Sequence, residues 1–167
     1  VLAAGCVFGA KEAACVGAIF GLASMWKASA FYVTQADAMF SPVMSGKPLE
    51  SVILSVGARV LFGFLVGFLY QAAEKGKHPL AGVIVVSSFG RTLHTSLVYG
   101  CMGLLFPEAG FGIANTLQDM RRWDFLPFIL IVDVMISLCY LFCRSDFLQR
   151  LLYRVRLLKQ ASSAGVH

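Results

Sequence analysis

Three stretches of this chain are too long and too apolar to sit comfortably in a water-soluble core: residues 51–73, 80–106 and 125–143. A helix rises about 1.5 Å per residue, so some 20 residues cross the roughly 30 Å of hydrocarbon in a bilayer. Inside lipid a backbone has no water to bond, and a span of this length satisfies its own N–H and C=O groups only as a helix. The first stretch is interrupted by Arg59 alone, the second carries Arg91 and His94, and the third carries Asp133. Composition agrees with this reading. Hydrophobic residues make up 58% of the chain and charged residues 14%, against about half and a quarter in an average soluble domain. The expected fold class is an all-α membrane protein.

The N-terminal third is less regular. Residues 1–10 form an apolar run too short to span, Lys11 and Glu12 interrupt it, and residues 13–26 resume it. A polar, Pro- and Gly-containing stretch over residues 27–50 reads as a long loop. The turn at residues 74–79 combines Gly76 and Pro79 with Lys75 and Lys77, and residues 107–124 form a second loop. Lysine and arginine concentrate in the 74–78 turn and in the 144–159 tail, which places both on the cytoplasmic side. The 27–50 loop carries balanced charge and the 107–124 loop one more acid than base, so both face outward. Alternation then puts Lys11 and Glu12 inside and makes residues 1–10 the inner end of a descending span. A bundle of six helices with both termini inside would need about thirty further N-terminal residues. The expected division is a membrane bundle over 1–143 and a basic, amphipathic cytoplasmic tail over 144–167. The whole is a multi-pass protein of the cell (inner) membrane, with the lipid bilayer as its surroundings.

Glycines recur four apart at Gly5/Gly9, Gly17/Gly21 and Gly63/Gly67. Each pair opens a flat helix face on which a neighbouring backbone can pack. Charges within the spans are more telling. Each costs about 2.5–3.5 kcal/mol facing lipid on insertion scales, so each is expected to turn inward and find a partner. Arg59, Arg91 and His94 are candidates for a polar pocket that takes an anionic ligand, and Asp133 is expected to form a structural ion pair with Arg91. Trp26, Tyr32 and Phe40 cluster where a span meets the outer loop. They suit either an interfacial aromatic belt or a stacking lid over a flat ligand. Asn115, in the second outer loop, is a candidate hydrogen-bond donor.

Other classes find no footing. The basic residues do not form a groove-sized patch, so nucleic acid is not expected as a partner. No HExxH, GxSxG or phosphate-cradling Gly-rich loop occurs, and neither an enzyme activity nor a cofactor is expected. Cys6, Cys15, Cys101, Cys139 and Cys143 lie in apolar stretches without a CxxC pair, and read as small core hydrophobes rather than a disulfide framework or zinc site.

A family resemblance accompanies this reading. Residues 8–24, FGAKEAACVGAIFGLAS, resemble the Gly-rich stretch of the substrate-binding S components of energy-coupling factor (ECF) vitamin transporters. Phe40-Ser41-Pro42, residues 59–70 from Arg59 to Tyr70, and residues 93–99 from Leu93 to Tyr99 fit the same pattern in order and spacing. Ala10 departs from it, standing where the family often has Pro. The resemblance implies a six-helix bundle, here without its first helix and part of its second, with an outward-facing pocket for a vitamin or related small nutrient. It implies as partners a transmembrane coupling protein and two ATPase subunits that supply the hydrolysis. The rival expectation is a ligand-sensing membrane module whose signalling domain follows His167.

Overall fold

The computed structural model of the chain describes residues 1–31 and 34–145. All the regular structure among them is helical. Helix α1 (Leu2–Val7) leads into α2 (Ala10–Ala30), and two short helices follow, α3 (Gln35–Phe40) and α4 (Pro48–Val52). A π turn over Ile53–Gly57 joins α4 to α5 (Ala58–Glu74). Then come α6 (Pro79–Leu105), a 3-10 turn at Pro107–Ala109, α7 (Ala114–Met120) and α8 (Phe125–Arg144).

Three helical segments are long and apolar enough to cross a membrane: Ala10–Ala30, Pro48–Glu74 and Phe125–Arg144. Helix α6, at 27 residues, has the length. Its apolar content is diluted by Ser87, Ser88, Arg91, Thr92, His94, Thr95 and Ser96. The chain is therefore an all-helical protein with membrane-capable helices.

Local chemistry sets the helix ends. Pro48 and Pro79 open α4 and α6 at the first helical position, where a missing N–H costs nothing. Thr34 and Asp37 form a reciprocal capping box at α3, with the Asp37 N–H donating to Thr34 Oγ1 and the Thr34 N–H donating to Asp37 Oδ2. Two boundaries differ from expectation. The N-terminal break falls at Phe8–Gly9 and not at Lys11–Glu12, which lie in the first turn of α2. Gly9 has φ +105°, a backbone region that disfavours any side chain, so the reversal must occur there. The 27–50 loop is also partly helical: α2 runs on to Ala30, α3 occupies its middle, and the next span opens at Pro48. Likewise α7 lies within the 107–124 loop.

Helices α2 and α5 pack antiparallel through their glycines. Gly21 faces Ser55, Gly17 faces Arg59, Gly63 faces Ala13 and Gly67 faces Ala10, always backbone against backbone. The numbers rise on one helix as they fall on the other, which fixes the direction. A Cβ placed on Gly21 would sit 2.6 Å from the Ser55 carbonyl oxygen. Two of the three glycine pairs thus do what their spacing predicts, whereas the third is split between a contact at Gly5 and the bend at Gly9. Helix α6 packs on α5 and α8 on α6. The Glu74 and Arg144 ends of α5 and α8 lie within electrostatic reach of one another; we call this end basal and the end carrying α3, α4 and α7 apical. One core cluster, Cys6, Phe62, Val66, Tyr70, Val83, Ile136 and Tyr140, fills the basal half. A second, Met39, Leu54, Met102 and Phe106, fills the apical end.

Candidate functional site

Between the two core clusters the side chains do not close. A cavity of about 530 Å³ lies among α1, α2, α5, α6 and α8, and a smaller one of about 240 Å³ lies under the apical loops. His94 lines both. Its position follows from α6: residues 87, 90, 91 and 94 recur at helical spacing and turn one face toward the larger cavity. The His94 ring meets Phe62 edge-on at 5.0 Å, and its Nε2 is buried with no hydrogen-bond partner among the described residues. A buried ring nitrogen in that state is costly unless something else serves it.

Arg91 lies one turn away and supplies the charge. Its guanidinium stands 4.4 Å from the centre of the Phe128 ring and 5.2 Å from that of Phe125, a cation held between two π faces. One Nη lies 3.8 Å from an Asp124 carboxylate oxygen, at ion-pair but not hydrogen-bond range. Asp124 also pairs with Arg122 at 3.2 Å, so its charge is shared.

The expected ion pair between Arg91 and Asp133 is not formed. Asp133 Oδ2 instead accepts a 2.7 Å hydrogen bond from Ser88, and its Oδ1 is buried without a partner among the described residues. Helix register explains the difference. Helices α6 and α8 run antiparallel with Ser88 opposite Asp133, so Arg91, one turn further along α6, stands opposite Phe128 and extends toward Asp124.

Arg59 is placed otherwise than its sequence position suggests. It is 6% exposed, lines neither cavity, and is held from the protein side. Nη1 donates to the Ser55 carbonyl at 2.8 Å, within the π turn, and Nη2 donates to Ser24 Oγ at 3.0 Å. Its guanidinium lies 5.1 Å from the Phe20 ring centre and 5.2 Å from that of Phe40. Phe20 belongs to the wall of the larger cavity and Phe40 to the smaller. Arg59 is therefore a strut behind both walls.

The remaining candidates separate. Phe40 lines the smaller cavity. Trp26 is 68% exposed, meets Phe31 at 6.2 Å and lines neither cavity, which fits the interfacial belt. Asn115 accepts a hydrogen bond from the Gly112 N–H at 2.9 Å through its Oδ1, a contact internal to the loop. Tyr32 lies outside the described residues, as does the tail beyond Ser145. Residues not foreseen are Phe128 beside Arg91, and Tyr99, Phe111 and Asp119 around the smaller cavity. Tyr99 and Phe111 stack at 6.3 Å. Lys47 and Glu108 pair across the two apical loops at 2.5 Å, with Lys47 also over Phe106. Among the described residues no group of three or more His, Cys, Asp or Glu is placed to hold a metal ion. Compared with protein-family models, curated proteins and solved structures, the chain matches none of them.

Proposed function

We infer that this chain is a substrate-capture subunit embedded in a membrane, which takes a small anionic ligand into the cavity headed by Arg91 and His94. The observation that carries this reading is the meeting, on one turn of α6, of a cation and an unpartnered buried imidazole nitrogen at the wall of a ligand-sized space. Binding sites for small molecules are concave, mainly apolar and served by a few polar groups, commonly with volumes of about 300–1,000 Å³. The anion would satisfy both groups. Arg91 would give charge and N–H donors, and His94 would give or take one hydrogen bond according to its tautomer.

In this reading the bundle is of the S-component type: six helices in a cell membrane, the basal end with Lys75, Lys77 and Arg144 in the cytoplasm, and a transmembrane coupling protein with two ATPases as partners. The positive charge gathered at the basal end supports that orientation. The bundle itself offers capture, and energy for import comes from the partners. Native mass spectrometry of the protein in lipid nanodiscs, followed by calorimetry with any ligand that travels with it, tests this. Arg91→Met should weaken binding by tenfold or more at unchanged folded yield. Absence of any retained or titratable small molecule would overturn the reading.

A further inference from the structure

We propose that the smaller, apical cavity is a binding site of its own, for an uncharged, flat nitrogen heterocycle that presents adjacent ring N–H and amino N–H donors to Asp119. This site is additional to the anion site of the larger cavity. Its walls come from α3, α6, α7 and the loop residue Phe111, with no residue of α1 or α2. Asp119 is half-buried in the wall, and its carboxylate makes no hydrogen bond or ion pair among the described residues. A carboxylate offers two oxygens side by side, so it best holds a guest with two N–H groups side by side. On the α6 side, Thr95 brings a hydroxyl and His94 a ring nitrogen, its buried Nε2 unpartnered among the described residues. A polar edge that the guest turns toward α6 can be served there.

The apolar part of the wall sets the shape. Phe40, Tyr99 and Phe111 stand around the space, and the Tyr99 and Phe111 rings lie within 11° of parallel with centres 6.3 Å apart. Any flat heterocycle has a π face to lay against such rings. The volume of about 240 Å³ falls below the roughly 300–1,000 Å³ of sites for drug-sized molecules, which suits one small ring system. The neighbouring charges decide the rest. Arg59 stands 5.2 Å from the Phe40 ring centre; its hydrogen bonds go to Ser55 and Ser24, and no carboxylate among the described residues pairs with it. Arg122 lies within electrostatic reach of Tyr99 and pairs with Asp124 at 3.2 Å, while Lys47 pairs with Glu108. A cationic guest would thus be repelled by Arg59 across one ring, and an anionic guest by Asp119 directly. An uncharged donor avoids both.

The test uses the full chain in lipid nanodiscs near neutral pH, with isocytosine as the probe and its isomer cytosine as the control. Isocytosine carries a ring N–H next to its amino group, whereas cytosine sets a ring-nitrogen lone pair there. Calorimetry should show isocytosine binding about tenfold or more tighter than cytosine, as two charge-assisted hydrogen bonds against one imply. Asp119→Asn should remove that preference or turn it toward cytosine, whose donor–acceptor edge matches an amide. Tyr99→Leu should weaken both isomers several-fold through lost stacking and leave their ratio unchanged. A variant that merely misfolds lowers the number of sites and not the ratio. Equal binding of the two isomers, a preference for isocytosine that survives D119N, or no binding of isocytosine at millimolar concentration would each overturn the proposal. Tetramethylammonium or benzoate binding more tightly than isocytosine, with dependence on Asp119 or Tyr99, would overturn it as well.

Discussion

Replacing Gly63 by alanine adds one methyl group at the tightest point of the α2–α5 contact. That Cβ would meet the Ala13 carbonyl oxygen and lie 2.6 Å from the Ala13 carbonyl carbon and 2.9 Å from the Ala14 nitrogen. All three neighbours are backbone, so no side chain can rotate aside and the helices must move apart. Overpacking of this kind costs about 1–3 kcal/mol, and separation also weakens the paired contacts at Gly17, Gly21 and Gly67. Against this, alanine favours a helix over glycine by about 0.5–1 kcal/mol. The net expectation is a loss of about 1–2 kcal/mol, raising the unfolded-to-folded ratio roughly 5–30-fold. Gly100→Ala is the matched control, since its Cβ would find only Ile113 Cγ1 at 3.9 Å; it should be neutral or slightly stabilising. Reversible unfolding in mixed detergent micelles, followed by circular dichroism, reads both. Equal stability of the two variants would refute the close-packing argument and with it the antiparallel register of α2 and α5.

Two further outcomes follow from the same structure. Arg59→Met should lower folded yield while leaving ligand affinity per folded molecule unchanged, because Arg59 braces Ser24 and Ser55 behind the cavity walls; a selective affinity loss at normal yield would make it a ligand group. At the apical end, the hydrogen bond from Lys47 holds the Glu108 carboxyl below its ordinary range. A depressed carboxyl stabilises the joined loops at pH above its ordinary value, and the contact is lost as pH falls through the lowered one. Hydrogen exchange in residues 107–113 should therefore accelerate on acidification in the wild type and be pH-insensitive, beyond the intrinsic rate, in Glu108→Gln.

Two of the spans, over residues 51–73 and 125–143, were legible because hydropathy is a property summed over about twenty residues, and a single Arg59 or Asp133 does not cancel it. The stretch 80–106 has the length but is diluted by its polar residues, and the apolar helix Ala10–Ala30 was hidden by Lys11, Glu12 and Lys27 at its ends. The glycine pairs 17/21 and 63/67 were legible for a similar reason: a four-residue spacing already states which face is flat. Partners were harder to read. Whether Arg91 meets Asp133 or Asp124, nine residues and about two and a half turns apart, depends on how α6 is registered along α8, which no local pattern records. The protein partners of Arg59 were hidden for a related cause. Its head donates to the Ser55 carbonyl inside the π turn at Ile53–Gly57, and nothing in the run ILSVG departs from an ordinary apolar helix. Phe128 left one trace, its spacing from Asp124 and Phe125 at the start of α8. Tyr99 and Phe111 meet only because two loops fold over α6.

That π turn also sets an angular phase. Its closing bond runs from the Ala58 N–H to the Ile53 carbonyl, five residues back rather than four. Each residue of an α-helix advances about 100° around the axis, so a turn that spends one residue more on a single revolution shifts the numbering of Ala58–Glu74 against that of Pro48–Val52 without turning their faces. Excising a single residue between 53 and 57 would return this revolution to ordinary bonding and leave Gly63 and Gly67 against α2, whereas excising one between 58 and 62 would swing both glycines away from it.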